Sequence, residues 1–447
     1  MSTELIEIAE LVTSWSEQGE QVEAVVTRDM ETEVRAYEGE IESLTVAESQ
    51  GVGVRVIKDG RQGFAYAGTL EENGLLEVLS EARDNATFAS PDEFSGLAEP
   101  DGVEPVSLDI YSNDLSQFST SKKIDYALEL EKLTMSMDKR ICGIESSEYT
   151  DVVSESAIAT STGIRSSSKE SGCCLMVYAL AEEKGETQTG FGFSIGRSPE
   201  ELDATRAASD ASERATRMLG STKPKSERLT VVLDPWVSAQ FLQIVGATLS
   251  AEMVLKGRSL FAERLGEEVA NPAISIIDDP TNPQAFTATE TDGEGLATRR
   301  NVLIENGELK MFLHNVWTAR KAASVSTGSA IRSYASTPGV GIQAISLKPG
   351  VRPPEDLIED IDNGILIQSV TGLHSGVNPI SGDFSTGAEG LRIKNGELAD
   401  PLREFTIGST IQKMLKDVNE VANDLEWLPM SSAGSTVVIK ELTVSGE

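Results

Sequence analysis

Cysteine and histidine are scarce in this sequence. Its 447 residues include three cysteines, Cys142, Cys173 and Cys174, and two histidines, His314 and His374. An odd count of three cysteines cannot build a disulfide framework and favours a reducing compartment, so we expect a cytoplasmic protein. A catalytic zinc site with three protein ligands would need both histidines together with a carboxylate or a cysteine. We therefore interpret each histidine as a hydrogen-bonded structural group or as a polar group that faces a substrate.

Long apolar runs are missing as well. No stretch of eighteen consecutive apolar residues occurs, and we therefore expect no membrane-spanning helix. The first ten residues contain no basic stretch followed by an apolar core, so the sequence predicts no secretory signal.

Positive charge is low relative to negative charge. The chain has 38 Lys and Arg against 72 Asp and Glu, which gives a net charge of −34 at pH 7. The acidic residues are spread along the chain, which is typical of a solvated surface or of adaptation to a salty cytoplasm. The alternative is an acidic surface that attracts basic peptides. Nucleic acid is not an expected partner in either case, because its phosphates would be repelled.

The hydrophobic pattern predicts an α+β fold with two domains, over residues 1–222 and 223–447. In the first domain, periodicity predicts a helix–strands–helix unit twice, over 1–87 and 121–220, joined by a Pro-rich connection over 88–120. The predicted helices cover 3–18, 71–87 and 121–138. The predicted strands lie near 21–28, 32–38, 41–48, 51–58 and 62–67, and further short strands lie between 141 and 195.

The second domain is predicted to be mainly an antiparallel sheet of barrel-like form with helices. A buried strand, LTVVLDP, precedes a helix over about 235–257, and TVVIKELTVSG predicts a closing strand. Asn-Gly pairs at 305–308 and 394–397 predict hairpins, because both central positions of a type I′ turn need positive φ.

Several ordered segments resemble the TldD/PmbA family, once described as modulators of DNA gyrase and now viewed as peptidase components. They are YEGEIESLTVAESQGVGVRVIKDGRQGFAY (37–66), TDGEGLATRRNVLIENGELKMFLHNVWTARK (291–321), STGSAIRSYASTPGVG (326–341), HSGVNPISGDFSTGAEGLRIKNGELADPLREFTIGST (374–410) and the final TVVIKELTVSG. The resemblance implies dimers in which a TldD-like subunit carries zinc and a PmbA-like (TldE) subunit does not.

The zinc-bearing subunits of that family use His-Glu-x-x-x-His on a helix and a late cysteine. Two imidazoles and a third ligand leave one zinc coordination position for water, and the Glu takes the proton of that water. In this sequence the corresponding positions hold Leu242, Gln243 and Ala247, and no cysteine follows Cys174. We therefore expect no zinc in this chain, and zinc in a TldD-like partner.

Residues 192–196 match the nucleophile-elbow pattern G-x-S-x-G, with Ser194 as the candidate nucleophile. The equivalent junction of the first repeat, over 63–68, places Ala67 near the Ser194 position. This favours a structural role for the glycines, and a serine hydrolase is the less favoured alternative.

The Gly-rich loop over 374–390 is the best sequence candidate for substrate contact. Asn378, Asp383 and Ser385 are small polar residues among glycines, which allow a peptide backbone to approach closely. The alternative is a turn system that only builds the second sheet. A further group, Asp292, Glu294, Arg299 and Arg300, is interpreted as a stabilising ion-pair cluster on the surface.

The leading hypothesis is a non-catalytic PmbA/TldE-like subunit that pairs with a TldD-like zinc peptidase and binds unfolded peptide, with added-strand pairing at a sheet edge. The alternatives are a stand-alone hydrolase that uses Ser194 or an unconventional metal, and a homodimeric peptide-binding protein without enzymatic activity.

Overall fold

The computed structural model describes residues 4–447, and its first half folds around one large sheet. The elements of this half are α1 (Leu5–Ser14), β1 (Glu20–Tyr37), β2 (Glu40–Lys58), β3 (Arg61–Ala67), α2 (Glu72–Phe88), α3 (Asn113–Gln117), α4 (Thr120–Met137), β4 (Ile141–Thr160), β5 (Arg165–Glu183), β6 (Glu186–Gly196) and α5 (Ala204–Thr216). Residue 3, the first of the predicted N-terminal helix, lies outside the described residues.

The first sheet has the strand order β3-β2-β1-β4-β5-β6 and is antiparallel throughout. Each half of it is a three-strand meander with a helix before it and a helix after it. The two meanders join where β1 pairs with β4, from Glu23 opposite Thr160 to Ala36 opposite Ser147. The predicted duplicated α+β architecture is therefore confirmed.

The predicted set of short strands is wrong in number and length. Five strands were expected over 21–67, but three occur, and β1 and β2 pair from Glu20 opposite Lys58 to Tyr37 opposite Glu40 with one register shift, between Arg35 and Ala36. Polar residues in the middle of both strands interrupt the apolar alternation. The backbone ladder continues through them because strand pairing needs no apolar side chain.

Glycines allow α2 and α5 to lie close against the outer strands of this sheet. A Cβ atom on Gly63 of β3 would lie 1.9 Å from the Ala82 carbonyl oxygen of α2. A Cβ atom on Gly192 of β6 would lie 1.9 Å from the Ala207 carbonyl oxygen of α5. The same packing contact therefore recurs in both repeats, as expected if these glycines are structural.

The second half is built on a closed barrel with a smaller sheet beside it. Its elements are β7 (Glu227–Leu233), α6 (Pro235–Thr248), α7 (Ala251–Leu255), β8 (Ile276–Asp278), β9 (Asn301–Glu305), β10 (Glu308–Leu309), α8 (Val316–Lys321), β11 (Ala330–Ile331), β12 (Gly339–Val340), β13 (Ile345–Leu347), α9 (Pro354–Glu359), β14 (Asn363–Thr371), α10 (Leu373–Gly376), β15 (Asp383–Lys394), β16 (Glu397–Thr410), α11 (Ile411–Asp417), β17 (Val418–Val421), β18 (Glu426–Trp427), β19 (Ala433–Gly434) and β20 (Val437–Ser445).

The barrel runs β16-β15-β14-β7-β20 and closes because β20 also pairs with β16. Its pairs are antiparallel except for β14 with β7. The Asn-Gly hairpins are confirmed. Asn306 and Gly307 have φ of 48° and 83°, and Asn395 and Gly396 have 50° and 81°.

The single helix predicted over 235–257 is instead two helices. The chain becomes extended at Ser250, with φ −71° and ψ 128°, between α6 and α7. The amide of Ala251 donates to the Leu313 carbonyl at 2.9 Å, so this bend ties the helix pair to the segment before α8. Among residues 4–447, no helix is both long enough and apolar enough to cross a membrane.

Candidate functional site

Helix α6 carries Leu242, Gln243 and Ala247, the positions that the sequence resemblance aligns with a zinc motif. Asp234 begins the helix by accepting the Val237 amide on Oδ1 at 2.9 Å, and Pro235 occupies the first turn, where no N–H is needed. Trp236 then contacts Phe191 and Phe193 of β6, with ring centroids 4.7 and 5.5 Å away. These aromatic contacts place α6 beside the last strand of the first sheet.

The three zinc-site positions of α6 point in different directions. Leu242 is buried in the barrel core, Gln243 is half-buried, and Ala247 is exposed. Gly246 lies between them, and a Cβ atom there would approach Ile342 Cγ2 to 2.6 Å, so the helix is packed closely on that side. The position that would hold the first imidazole therefore contributes to the core.

The C-terminal segment around β19 lies against the start of α6. Ser238 Oγ donates to the Ser435 carbonyl at 2.7 Å and lies 3.0 Å from the Ser435 amide, which donates to it. A Cβ atom on Gly434 would lie 1.7 Å from the Pro235 carbonyl oxygen. The fold thus brings the end of the chain to α6, but that segment offers serine hydroxyls and no cysteine.

Zinc does not fit the residues present here. Zinc in proteins is held by His, Cys, Asp and Glu, whereas a leucine and an alanine supply no donor atom and a glutamine amide is not a usual ligand. Within residues 4–447, no three of these ligand-type side chains lie together in a group that could hold a metal ion.

The two histidines lie in different surroundings. His314 is buried, and its Nδ1 is 3.3 Å from Thr318 Oγ1. Burial lowers the pKa of His314 below its ordinary value. His374 lies exposed on the short helix α10 at the start of the Gly-rich loop.

The polar residues of the 374–390 loop bond mainly to the loop itself. Asn378 Oδ1 accepts the amides of Ile380 and Ser381 at 2.9 and 3.2 Å. Asp383 Oδ2 accepts the Ser381 hydroxyl at 2.7 Å, and Ser385 lies exposed on β15. The fold brings Asn378 and Asp383 together, and their hydrogen bonds shape a turn.

Ser194, the candidate nucleophile, has a structural hydrogen bond. Its side chain is buried at the end of β6, and its Oγ accepts the Asp203 amide at 2.9 Å, at the residue that caps α5. Both histidines belong to the second half of the chain, so a Ser–His pair would have to form across the two halves.

The proposed surface cluster of Asp292, Glu294, Arg299 and Arg300 is corrected by the structure. Asp292 and Glu294 are 3% and 1% exposed, so they are buried. Arg299 pairs with Asp101, and Arg300 Nε lies 3.6 Å from Asp279 Oδ2, so neither arginine joins them. The sequence showed charges at neighbouring positions but not that Asp292 and Glu294 are buried by segments distant in the chain, with the Ala330 amide donating to Asp292 and Arg55 beside Glu294.

A buried charge cluster joins the two halves of the molecule. On the first sheet, Arg55 Nε and Nη2 donate to the Glu23 carboxylate at 3.0 and 2.7 Å. From the second half, Glu294 Oε1 lies 3.5 Å from Arg55 Nη2, and Arg332 Nη1 donates to Glu23. Sequence reasoning missed this cluster, although Glu23 and Arg55 stand out as charges within apolar strand segments.

The electrostatics of this cluster follow from burial and charge. Burial alone would raise the pKa of Glu23, but the guanidinium groups of Arg55 and Arg332 outweigh it and hold that pKa below its usual range. Burial, together with the charge of Glu294, raises the pKa of Asp292. Burial also raises the pKa of Glu294, although Arg55 opposes the shift. The two arginines therefore outweigh the effect of burial on Glu23, but burial still dominates at Asp292 and Glu294.

Comparison with known families decides the classification. Models described as PmbA/TldA metallopeptidase domain 1, central domain and C-terminal domain match residues 22–86, 113–219 and 226–446. The chain belongs to the PmbA/TldA metallopeptidase family. The resemblance seen in the ordered sequence segments is therefore confirmed.

The relatives and solved structures that resemble this chain match it over nearly its whole length. The chain is 25% identical to the metalloprotease PmbA of Escherichia coli O157:H7, covering 95% of this chain and 92% of that one. It is 28% identical to a metalloprotease of Methanothermobacter thermautotrophicus, covering 92% of each. A Thermotoga maritima protein described as a candidate modulator of a DNA gyrase has the same fold, with TM-score 0.91, 28% identity and coverage of 98% and 99%. The TldE structure from Thermococcus kodakarensis shares the fold at TM-score 0.89 and 24% identity, covering 99% of each chain.

Proposed function

We propose that this chain is a PmbA/TldE-like, non-catalytic subunit of a TldD-type zinc metallopeptidase complex that acts on unfolded peptides. The observation that carries the proposal is the side-chain chemistry of α6, where Leu242, Gln243 and Ala247 replace the two imidazoles and the general base. Family membership supplies the scaffold, and the missing donor atoms argue that hydrolysis takes place on another subunit.

The partner in this proposal is a TldD-like paralogue that carries the zinc, in a heterodimer. Overall identity does not separate the branches, because a PmbA of Escherichia coli and a TldD homolog of Buchnera aphidicola are each 25% identical to this chain. The residues on α6 are what supports placing this chain in the PmbA/TldE-like branch. A homodimer of this chain is the alternative assembly.

Peptide binding in this proposal uses the free edges of the first sheet. The described sheet ends at β3 and β6, and residues 40–51 of β2 pair with β1 alone. Such edges present unpaired backbone N–H and C=O groups. An unfolded peptide can add to them as a further strand, with little dependence on its sequence.

The test is a reconstitution with the zinc-bearing paralogue of the same genome. Each chain alone and the mixture are assayed on an unstructured peptide, with zinc content measured for each chain. We expect hydrolysis by the mixture, abolished by a chelator, and no stoichiometric zinc on this chain. Hydrolysis by this chain alone with one bound zinc would overturn the proposal, as would full activity of the paralogue without it.

A further inference from the structure

A cleft of about 690 Å³ opens at the end of the first sheet that carries the turn between β1 and β2. Strand β1 pairs with β4 only as far as Ala36 opposite Ser147, so this turn and the start of β4 continue without pairing to each other. The cleft lies between these two segments, and α4 forms a further wall. It is therefore a product of the way the two meanders join.

The lining of the cleft is mainly apolar. Helix α4 contributes Leu128 and Met135, which are seven positions apart and so lie on one stripe of the helix. The strands contribute Tyr37, Ile144 and Leu180. Sites for small molecules measure roughly 300–1,000 Å³ and are lined mostly by apolar side chains, with a few polar groups that orient the ligand. The cleft can therefore enclose the apolar body of a small molecule.

One nearly buried carboxylate, that of Glu131, stands within this apolar lining. Glu131 is 7% exposed, and its Oε2 accepts the Gly39 amide at 3.0 Å, which holds the turn between β1 and β2 against α4. Its Oε1 has no hydrogen-bond partner among residues 4–447 and is not fully buried, so a group in the cleft can reach it. No Lys, Arg or His of the described chain forms an ion pair with Glu131. A carboxylate in such surroundings is stabilised by a cation, because it has given up much of its hydration.

The other charges at the cleft also favour a cationic ligand over an anionic one. Glu38 and Lys132 line it, and both are exposed. Together with Glu131 they give the cleft two carboxylates against one ammonium group, so its electrostatic potential attracts a cation. The net charge of −34 on the whole chain acts in the same direction at longer range.

We propose that this cleft binds a small organic cation with an apolar body, of the arylalkylamine class. The ammonium group donates to Glu131 Oε1, and the apolar body packs between α4 and the start of β4, against Leu128, Met135 and Ile144. The site does not use α6, and it does not depend on the proposed subunit role. Loss of hydrolysis in a reconstituted complex would therefore leave this proposal unaffected.

The experiment measures binding of 4-phenylbutylamine, which is cationic at pH 7, to the full chain by isothermal titration calorimetry. Two further probes, 4-phenylbutanol and 4-phenylbutyrate, keep the apolar body and change only the charge of the end group. We expect the amine to bind roughly tenfold or more tightly than the alcohol, the effect of a hydrogen bond to a charged group. The carboxylate should bind most weakly. Butylamine, which lacks the phenyl ring, should also bind more weakly than 4-phenylbutylamine, because less apolar area is buried.

The variant Glu131→Gln removes the charge but keeps an oxygen that can accept the Gly39 amide, so its melting temperature should match that of the wild type. We expect it to bind the amine roughly tenfold or more weakly and to bind the alcohol as the wild type does. The matched control is Glu129→Gln, which changes the net charge by the same amount. Glu129 is exposed on α4 and lies outside the cleft, so this variant should bind the amine as the wild type does.

The thiol of Cys142 reports whether the ligand lies in the cleft. Cys142 lines the cleft and is exposed, whereas Cys173 is buried and Cys174 is half-buried. Burial raises the pKa of both of these thiols, that of Cys174 to about 12. Iodoacetamide should therefore react first at Cys142 in the folded protein, since the thiolate is the reactive form. We expect 4-phenylbutylamine to slow this reaction, measured by mass spectrometry, with a midpoint at the Kd found by calorimetry.

Equal affinity of the wild type for the amine and the alcohol would overturn the proposal, as would tighter binding of the carboxylate. This comparison needs no variant, so it holds even if Glu131→Gln fails to fold. An equal loss of affinity in Glu131→Gln and Glu129→Gln would show attraction by net charge alone, and an unprotected Cys142 would place the amine elsewhere. Tighter binding of a capped phenylalanyl-lysine dipeptide than of the amine would assign the cleft to a peptide side chain instead of a free amine.

Discussion

Arg55 Nη2 lies 3.5 Å from Glu294 Oε1, and this contact joins the first sheet to the loop that precedes β9. Both side chains are almost completely buried, and the Glu294 Oε2 atom also accepts the Val316 amide at 2.8 Å. Such a pair fixes the relative position of two parts of the fold, because a buried charge is stable only where its partner is in place.

Removing Arg55 should destabilise the protein strongly. Arg55→Met leaves Glu294 buried without its guanidinium partner and deprives Glu23 of two hydrogen bonds. We expect a loss of about 3–5 kcal/mol in the free energy of unfolding, measured by urea denaturation. The control Arg165→Met removes an exposed pair with Glu10 and should cost about 0–1 kcal/mol. Equal small losses for both variants would show that the buried cluster does not lock the two halves together.

Asp278 should make stability depend on pH. Burial raises the pKa of Asp278 to about 6, although the amides of Ala344 and Gln343, which donate to its Oδ1, oppose the shift. The folded protein therefore holds this proton more tightly than the unfolded chain, whose pKa is 3.8. The contribution to stability is complete below pH 4 and is lost as the pH rises through 6, by about 3 kcal/mol in total.

The variant Asp278→Asn tests this directly, because an Asn oxygen can accept the same two amides while the nitrogen takes the place of Oδ2, which has no partner in the described chain. Urea denaturation between pH 4 and pH 8 should show a smaller fall in stability for the variant than for the wild type. Asp101→Asn is the control, since hydrogen bonds from the Val103 amide and Arg299 outweigh burial and lower the pKa of Asp101. Its effect should be confined to lower pH. Parallel profiles for wild type and Asp278→Asn would contradict the assignment.

The α6 positions should matter for packing and not for hydrolysis. Leu242→Ala removes a buried side chain and should cost about 2–5 kcal/mol in stability. Gln243→Ala and Ala247→Ser change residues away from the core and should alter stability by about 0.5 kcal/mol or less. Hydrolysis by the reconstituted complex should change less than about twofold for these two variants. A tenfold loss of kcat in either would place a reacting group on this helix.

Ser194→Ala separates the subunit proposal from a serine hydrolase. The substitution removes the acceptor of the Asp203 amide, and we expect a stability loss of about 1–3 kcal/mol, measured by urea denaturation. The kcat of the reconstituted complex should be unchanged below the melting temperature of the variant. Loss of kcat with an unaltered melting temperature would instead support a nucleophilic serine.

The glycines under α2 and α5 should be intolerant of any side chain. Gly192→Ala places a methyl group against the Ala207 carbonyl and should cost about 1–3 kcal/mol by forcing the helix away from β6. Gly68→Ala is the control, because its nearest contact, the Gln50 carbonyl oxygen, would be 3.7 Å away. Thermal unfolding of both variants measures the difference, and a fully stable Gly192→Ala would contradict the close packing described here.

The sequence by itself determined the α+β class, the duplicated meanders, the two Asn-Gly hairpins and the family. These features are local, because hydrophobic periodicity, turn residues and the segments that resemble the family each involve residues that are neighbours in the sequence. It also determined which side chains occupy α6, since the donor atoms of a residue do not depend on the fold.

Only the tertiary structure decided where the charges lie. Glu23, Arg55, Glu294 and Arg332 are separated along the chain by as many as 309 positions, and nothing local relates them. The same holds for the pairing of β1 with β2 over nearly their whole lengths and for the bend at Ser250. Burial arises when distant segments pack together, and so the surface cluster expected around Asp292 became an interior one.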